Sequence, residues 1–288
     1  MSVRVVDHDP AGLGVFLRAG LSGLPGANSL PGIAKTGKEL PDLTLVRRGV
    51  VTDPSHVDRY REVCGFVRRE SLPMTYPHLL GFGLTMMLMT DPAFPHAPIG
   101  QVHVRNVIRA RRALLPNESF DVSVRATNQR EHPKGLVYDM LTSVESEGEV
   151  VWDEVSTYLR PGRPHPEAAH IAGPEEVPGS GIEWKLPGDL GRTYAAVSGD
   201  RNPIHLFALS AKAFGFKQQI AHGMWSLARC VATIESRVPV AAEVDAVFKR
   251  PIFLPSRVEF GSRVDSEGVA FGLNRPGDGG AHLAGFAR

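Results

Sequence analysis

Cysteine is scarce in this sequence, and its scarcity excludes several kinds of protein. The 288 residues contain only Cys64 and Cys230, and their separation matches neither a metal-binding nor a redox motif. Two cysteines also cannot supply the disulfide framework on which small secreted proteins depend. The first residues include acids and a proline where a signal peptide has an uninterrupted apolar core. Together these features predict a reducing, cytoplasmic location.

A surplus of either charge is also missing. Lys and Arg number 32, Asp and Glu number 31, and the formal net charge is +1. This balance gives no electrostatic reason to expect nucleic acid as a partner. The longest apolar run, Leu79 to Met89, is interrupted by glycines and is shorter than the ~20 apolar residues that cross a bilayer. We therefore expect no membrane association, and the run predicts a buried helix.

Common nucleotide-binding and hydrolase motifs are lacking. The sequence contains no G-x-G-x-x-G between a strand and a helix and no G-x-x-x-x-G-K-[ST] phosphate loop. It also contains no G-x-S-x-G elbow of the serine hydrolases. These absences disfavour a nucleotide-dependent oxidoreductase and a serine hydrolase.

The sequence does contain a regular order of segments. Residues 1–40 are rich in Gly and Pro and predict an irregular lead, and residues 161–182 predict a proline-rich linker. Residues 41–160 predict a buried helix followed by strands with alternating apolar residues, and residues 183–288 repeat that order. We therefore expect an N-terminal domain at 41–160 and a C-terminal domain at 183–288.

Short matches support two copies of one unit. In the same order, YREVCGF matches YAAVSGD, TYPHLL matches QIAHGM, and ALLPNESF matches FLPSRVEF. Phe66 of the first copy takes the place of Asp200, so chemistry that depends on Asp200 and His205 is expected in the second copy alone. His78 and His222 occupy equivalent places, which favours a shared structural role ahead of the helix over catalysis.

The stretch YAAVSGDRNPIH places an aspartate, an asparagine, a proline and a histidine close together at a predicted helix start. Asn202 is a good N-cap, Pro203 suits the first helical position, and Gly215 suits the C-terminal stop. Asp200 then lies just outside the helix and His205 lies in its first turn. The positive end of the helix dipole favours an ionised Asp200 and a neutral His205.

Two such groups can hold a water molecule and transfer its proton. The same spacing also fits an ordinary helix cap followed by a surface histidine, so both interpretations remain open from the residues alone. A metal site is disfavoured, because further oxygen ligands at EF-hand offsets are missing.

The pattern Y-x-x-x-S-G-D-x-N-P-I-H, followed by A-H-G-M, resembles the signature of the MaoC-like dehydratases and (R)-specific enoyl-CoA hydratases. The signature lies in the second copy, and the two-copy layout is similar to the double hot dog members, among them the actinobacterial 3-hydroxyacyl-thioester dehydratases. The resemblance implies an α+β fold, a double hot dog with two long central helices, each wrapped by an antiparallel sheet.

The resemblance also implies a reaction and residue roles. The family adds water reversibly to trans-2-enoyl thioesters and forms (R)-3-hydroxyacyl thioesters. Asp200 and His205 would then activate the water, and the Gly223 amide would stabilise negative charge on the thioester oxygen. The candidates for binding the substrate are Ser198, Asn202, His222 and Met224.

The expected partner is an acyl thioester of coenzyme A or of acyl carrier protein, and no cofactor or metal is expected. Lys217, Lys249 and Arg250 are weaker candidates for contacting the carrier's phosphates. Two copies in one chain imply a pseudo-dimer, and a homodimer of the chain is a further possibility. The alternatives are a hot dog thioesterase, although those enzymes lack the D-x-N-P-x-H segment, and a non-catalytic thioester-binding module.

Overall fold

The computed structural model describes residues 2–8, 10, 35–277 and 279–288. Most of the predicted irregular lead, residues 11–34, lies outside this described part. The chain forms two compact units, each assembled from separate segments. The first unit comprises Met1–Val51, His78–Val104 and Ser119–Ile171, and the second comprises Thr52–Pro77, Arg105–Glu118 and Ala172–Arg288. The boundaries at 41–160 and 183–288 remain a prediction about the sequence copies.

The first unit contains an antiparallel sheet to which one parallel strand is added. Its strands are β1 (Ser2–Val5), β2 (Leu43–Val51), β4 (Ser119–His132), β5 (Gly135–Ser146) and β6 (Glu149–Pro161), and strand β3 (Val102–Ala110) begins here. The sheet order is β1-β2-β4-β5-β6, and β1 pairs with β2 in parallel. Alternate residues of β4 are buried, as its period of two predicts.

The long apolar run of the sequence forms the helix of this unit. Helix α2 (Pro77–Thr90) includes the whole run, and its Leu84 and Leu88 are fully buried. At Gly81 an added Cβ would come within 2.5 Å of Thr142 in β5. The helix therefore packs directly on the sheet, as predicted.

The second unit contains a fully antiparallel sheet and the remaining helices. Its strands are β7 (Ile182–Leu186), β8 (Ala242–Phe248), β9 (Ser256–Val264), β10 (Val269–Asn274), β11 (Ala281–Ala287) and residues 105–110 of β3. Its helices are α1 (Pro54–Cys64), α3 (Leu190–Ser198), α4 (Pro203–Leu206), α5 (Ala208–Ala213) and α6 (Gly223–Ile234). The sheet order is β3-β8-β11-β10-β9-β7. Helix α6 is the central helix, and its Leu227, Ala228 and Ile234 are fully buried.

Helix α1 belongs to the first sequence copy but lies in the second unit. Asp53 caps its N-terminus by accepting a hydrogen bond from the Ser55 amide. The helix packs against α3 and α6, and the Trp225 indole N–H of α6 donates to the Val63 carbonyl at 3.0 Å. The second unit thus includes a helix that the first sequence copy contributes.

The predicted single helix from Pro203 to Gly215 is wrong, because the chain forms two short helices, α4 and α5, there. Phe207 separates them in an extended conformation, with φ −143° and ψ 150°. The Ser210 hydroxyl donates to the Pro203 carbonyl at 2.6 Å and the Phe207 carbonyl at 2.9 Å, and Arg192 donates to the Leu206 carbonyl at 2.9 Å. These side chains supply the bonds that a continuous helix would otherwise provide.

The described helices were also considered as membrane spans. Within the described ranges, no helix combines the length and the apolar character needed to cross a bilayer.

Candidate active site

The loop between α3 and α4 is held by its own side chains. Gly199 ends α3 with a φ of 75°, a left-handed conformation that glycine adopts without strain. The Asp200 amide donates to the Ser198 hydroxyl at 3.1 Å, and the Asn202 amide donates to Asp200 Oδ1 at 3.0 Å. Asn202 Oδ1 accepts from the Ile204 amide at 3.4 Å, which confirms the predicted N-cap. These bonds fix the direction of the Asp200 carboxylate.

The environment of His205 determines which of its ring nitrogens is an acceptor. His205 is buried, and its Nδ1 lies 2.8 Å from the Ile220 carbonyl oxygen. A carbonyl can only accept, so Nδ1 carries the hydrogen and the neutral ring keeps a lone pair on Nε2. Burial lowers the pKa of His205, although Asp200 and the Ile220 carbonyl oppose the shift. His205 is therefore neutral at pH 7 and presents a basic nitrogen.

His222 connects Asp200 with His205. It is 3% exposed, and its ring stacks on that of His205 with centroids 3.7 Å apart. Its Nε2 donates to the backbone carbonyl of Asp200 at 3.0 Å and lies 3.8 Å from Asp200 Oδ2. Burial, with a contribution from His205, lowers the pKa of His222 to about 3. Neutral His222 thus contacts both groups without adding charge.

Gly223 begins helix α6 directly after His222. The amide of a first helical residue has no partner within the helix, and the helix dipole makes this end positive. A Cβ at Gly223 would come within 3.2 Å of the Phe248 ring, so a side chain there would crowd that ring. The next residue, Met224, is buried. The Gly223 amide can therefore donate a hydrogen bond to an anionic oxygen at the helix start.

Gly191 is a residue of the site that the sequence analysis missed. It lies in the first turn of α3, and an added Cβ would come within 1.9 Å of the His205 carbonyl oxygen. Glycine inside a helix costs about 1 kcal/mol relative to alanine. Its presence there was therefore a signal of close packing, although the partner was not visible in the sequence.

The same group of residues also offers ligand atoms for a metal ion. Atoms of Asp200, His205 and His222 lie within 4.8 Å of one another. However, the two imidazoles are stacked at an interplanar angle of 25°, so their in-plane lone pairs run side by side. One nitrogen of each ring also donates to a carbonyl. This arrangement suits a water held by Asp200 and His205 better than a converging set of metal ligands.

Among the described residues, no contact joins the three cations predicted to bind the carrier to Asp200, His205 or His222. Lys249 donates to Glu176 at 2.6 Å, and Lys217 and Arg250 are exposed. The roles of these residues, and of Ser198, Asn202, His222 and Met224 in binding substrate, remain predictions.

Comparisons with known proteins identify the family that this chain resembles. The family profile of the MaoC like domain matches residues 173–275. The chain is 36% identical over 251 residues to 3-hydroxyacyl-thioester dehydratase X of Mycobacterium tuberculosis, and the match covers 86% of this chain and 87% of that protein.

Solved structures are similar as well. The crystal structure of HtdX from Mycobacterium tuberculosis matches with a TM-score of 0.76 and 33% identity, over 85% of this chain and 99% of that one. A MaoC-like dehydratase from Phytophthora capsici matches with a TM-score of 0.68 over 86% of this chain and 95% of that one. At 18% identity, the latter supports the fold alone. The predicted α+β hot dog fold is confirmed.

Proposed function

The chain belongs to the family of MaoC-like dehydratases, and on this premise we propose that it is a 3-hydroxyacyl-thioester dehydratase. It adds water reversibly to a trans-2-enoyl thioester and forms the (R)-3-hydroxyacyl thioester. The relative 3-hydroxyacyl-thioester dehydratase X covers most of the chain at 36% identity, which supports the assignment as a hydro-lyase.

The acceptors at the site suit the binding of one water molecule. Asp200 offers a carboxylate oxygen, and His205 offers the lone pair of Nε2, because its Nδ1 hydrogen is engaged by Ile220. A water that donates one hydrogen to each acceptor directs its lone pair away from both, toward the β-carbon of the substrate. The proton it loses passes to one of the two acceptors and is then delivered to the α-carbon, so the pair returns to its starting state.

The negative charge that develops on the thioester oxygen during this attack needs a hydrogen-bond donor. Addition at the β-carbon moves negative charge onto the thioester oxygen, and the Gly223 amide at the start of α6 supplies a hydrogen bond and the positive end of the helix dipole. Loss of one such donor typically costs ~10²–10³ in rate. We assign Gly223 this oxyanion role, and Asp200 and His205 the proton transfer.

One observation carries the proposal. A carboxylate and the basic nitrogen of a neutral, buried imidazole share one cluster, and the helix that follows His222 begins with the Gly223 amide, which has no partner within the helix. The first copy lacks this pair, because Phe66 takes the place of Asp200 there.

The substrate carrier and the compartment belong to the proposal too. The thioester is carried by coenzyme A or by acyl carrier protein, and one chain contains both copies, with homodimerisation as a further expectation. Cys64 and Cys230 are both free thiols, which supports a cytoplasmic location.

The direct test is loss of the enoyl thioester absorbance on mixing with crotonyl-CoA and a longer homologue. We expect the band to fall with the wild type and to stay unchanged with Asp200→Asn. A parallel assay of free thiol separates hydration from thioester hydrolysis. Thiol release in step with the absorbance change would refute the dehydratase assignment in favour of a thioesterase.

A further inference from the structure

The segment that follows His205 exposes two large apolar side chains. Phe207 and Leu209 come two and four residues after His205, and they are 55% and 82% exposed. Single exposed apolar residues are common on protein surfaces, whereas apolar groups rimmed by polar residues mark interaction sites. The charges around this pair therefore decide whether it is a contact surface.

The backbone around Phe207 is held by two side chains of the same unit. The Arg192 guanidinium lies 5.0 Å from the centre of the Phe207 ring, a cation–π contact, and it donates to the Leu206 carbonyl at 2.9 Å. The Ser210 hydroxyl donates to the Pro203 and Phe207 carbonyls. The exposed ring of Phe207 therefore belongs to an ordered surface, and its nearest charge is positive.

The same segment carries positive charge without carboxylates. Residues 201–234 contain no Asp or Glu, and Arg201, Lys212 and Lys217 are exposed. Lys212 comes three residues after Leu209 in helix α5, so the two side chains share one helix face. Among the described residues, none of these three cations forms an ion pair.

Cations elsewhere in the second unit have partners within the chain. Lys249, Arg257 and Arg263 pair with glutamates at 2.6, 2.8 and 2.8 Å. The cations beside the site therefore differ from these, since a carboxylate for them must come from another molecule. Unbalanced positive charge at the entrance to a site attracts an anionic partner.

We infer that Arg192, Phe207, Leu209 and Lys212 form a docking surface for an acidic carrier protein that delivers the enoyl thioester. This inference rests on the proposed dehydratase function and selects one of its two carriers. Protein interfaces combine an apolar centre with a polar rim, and complementary charge steers the partners together. A small carrier such as coenzyme A binds in a cleft that buries most of its surface. Leu209, at 82% exposed, does not line such a cleft.

The test compares the same enoyl group on two carriers, crotonyl-CoA and crotonyl-acyl carrier protein. Lys212→Glu reverses the charge of the surface, and Leu209→Asp removes its most exposed apolar group. We expect each variant to raise KM for the carrier-protein substrate roughly 10-fold with kcat unchanged. With crotonyl-CoA, kcat/KM should stay within about threefold of the wild-type value. Added salt should lower kcat/KM for the carrier-protein substrate in the wild type more than in Lys212→Glu.

Matched controls lie on two strands of the same unit. Lys185 on β7 is exposed, and Val264 on β9 is 57% exposed. Lys185→Glu and Val264→Asp introduce the same charges away from the docking surface and should keep the wild-type KM for both carriers. Equal losses on the two carriers, or equal losses in the control and docking variants, would overturn the inference.

Binding separates docking from chemistry. Labelled carrier protein without an acyl group should raise its fluorescence anisotropy with the wild type and bind at least about 10-fold more weakly to Leu209→Asp. A wild type that hydrates crotonyl-CoA but does not bind the carrier protein would overturn the docking surface and leave the dehydratase assignment intact. Sedimentation with anionic lipid vesicles in place of carrier binding would assign the surface to a membrane and overturn the inference too. A wild type inactive on both thioesters refutes the dehydratase assignment.

Discussion

Helices α1 and α3 occupy equivalent places in the two sequence copies, and both end in the same way. Gly65 and Gly199 follow them with φ of 79° and 75°, and each glycine amide donates to the carbonyl four residues earlier. The next residue differs. Phe66 is buried and stacks on Tyr60, whereas the Asp200 carboxylate joins His205 and His222. The same backbone turn thus places an aromatic core residue in one copy and a carboxylate beside two imidazoles in the other.

A second difference lies inside the two helices. Val57 of α1 is fully buried, and its equivalent in α3 is Gly191, which has no room for a side chain against the His205 carbonyl. The Val63 carbonyl near the end of α1 accepts a hydrogen bond from the Trp225 indole. The two copies therefore differ in how closely the chain packs around His205, as well as in the residue that follows the glycine.

We expect the largest fall in kcat when the carboxylate that distinguishes the two helix ends is removed. Asp200→Asn keeps the size of the side chain but weakens its ability to accept a proton, so kcat should fall ~10²–10⁴-fold. Steady-state hydration of crotonyl-CoA measures this. Asp121→Asn, an exposed aspartate on β4, is the control and should retain wild-type kcat. A comparable loss in both variants would contradict a specific role for Asp200.

The next effect tests the packing difference between Val57 and Gly191. Gly191→Ala must displace the His205 backbone, because the added carbon would lie 1.9 Å from its oxygen. We expect kcat to fall roughly 10- to 100-fold. The control is Gly188→Ala, whose added carbon would meet its nearest neighbour at an ordinary 3.6 Å. If the two alanine variants had equal kcat values, the close approach would have no part in positioning His205.

Part of this comparison could be read from the sequence. The order N-cap, proline and histidine placed Asp200 and His205 at one helix start, because those positions follow from local backbone rules. The break at Phe207 could not be predicted, since it depends on Arg192 reaching the Leu206 carbonyl. Gly191 was missed for the same reason, because its partner His205 is distant in sequence. Capping and proline rules therefore predict the loop from neighbouring residues. The tertiary contacts that orient the loop join distant residues, so they produce no spacing pattern in the sequence.

A smaller effect concerns the equivalent histidines His222 and His78. His78 pairs with the buried carboxylate of Glu154 at 2.9 Å, whereas the pKa of His222 is lowered from 6.5 to about 3. Between pH 6.5 and about 3, the His222 side chain is protonated in the unfolded chain and neutral in the folded chain. The free energy of unfolding therefore falls as pH decreases through this window, by up to ~1.4 kcal/mol per pH unit from this group.

Chemical denaturation at a series of pH values measures the contribution of His222. His222→Phe keeps a stacking ring without the titratable group, and it should reduce the acid dependence between pH 6.5 and about 3. Replacement of the exposed His170 by Phe is the control. If His222→Phe showed the wild-type slope, His222 would not be a buried neutral group.

The smallest expected effect comes from a variant that restores the missing aspartate in the first copy. Phe66→Asp in an Asp200→Asn background restores an aspartate after α1, but Leu79 occupies the place of Gly223 next to His78. Residues 67–77 also contain no histidine that could take the place of His205. We expect no recovery of hydration. Recovered activity would mean that one residue alone separates the copies.

The most direct test of the account is a double-mutant cycle at Asp200 and His205. If both residues act on the same water, Asp200→Asn, His205→Gln and the double variant should have kcat values within a few-fold of one another, because either single change already disables the pair. Losses that multiply in the double variant, or a single variant with wild-type kcat, would contradict a shared proton-transfer site.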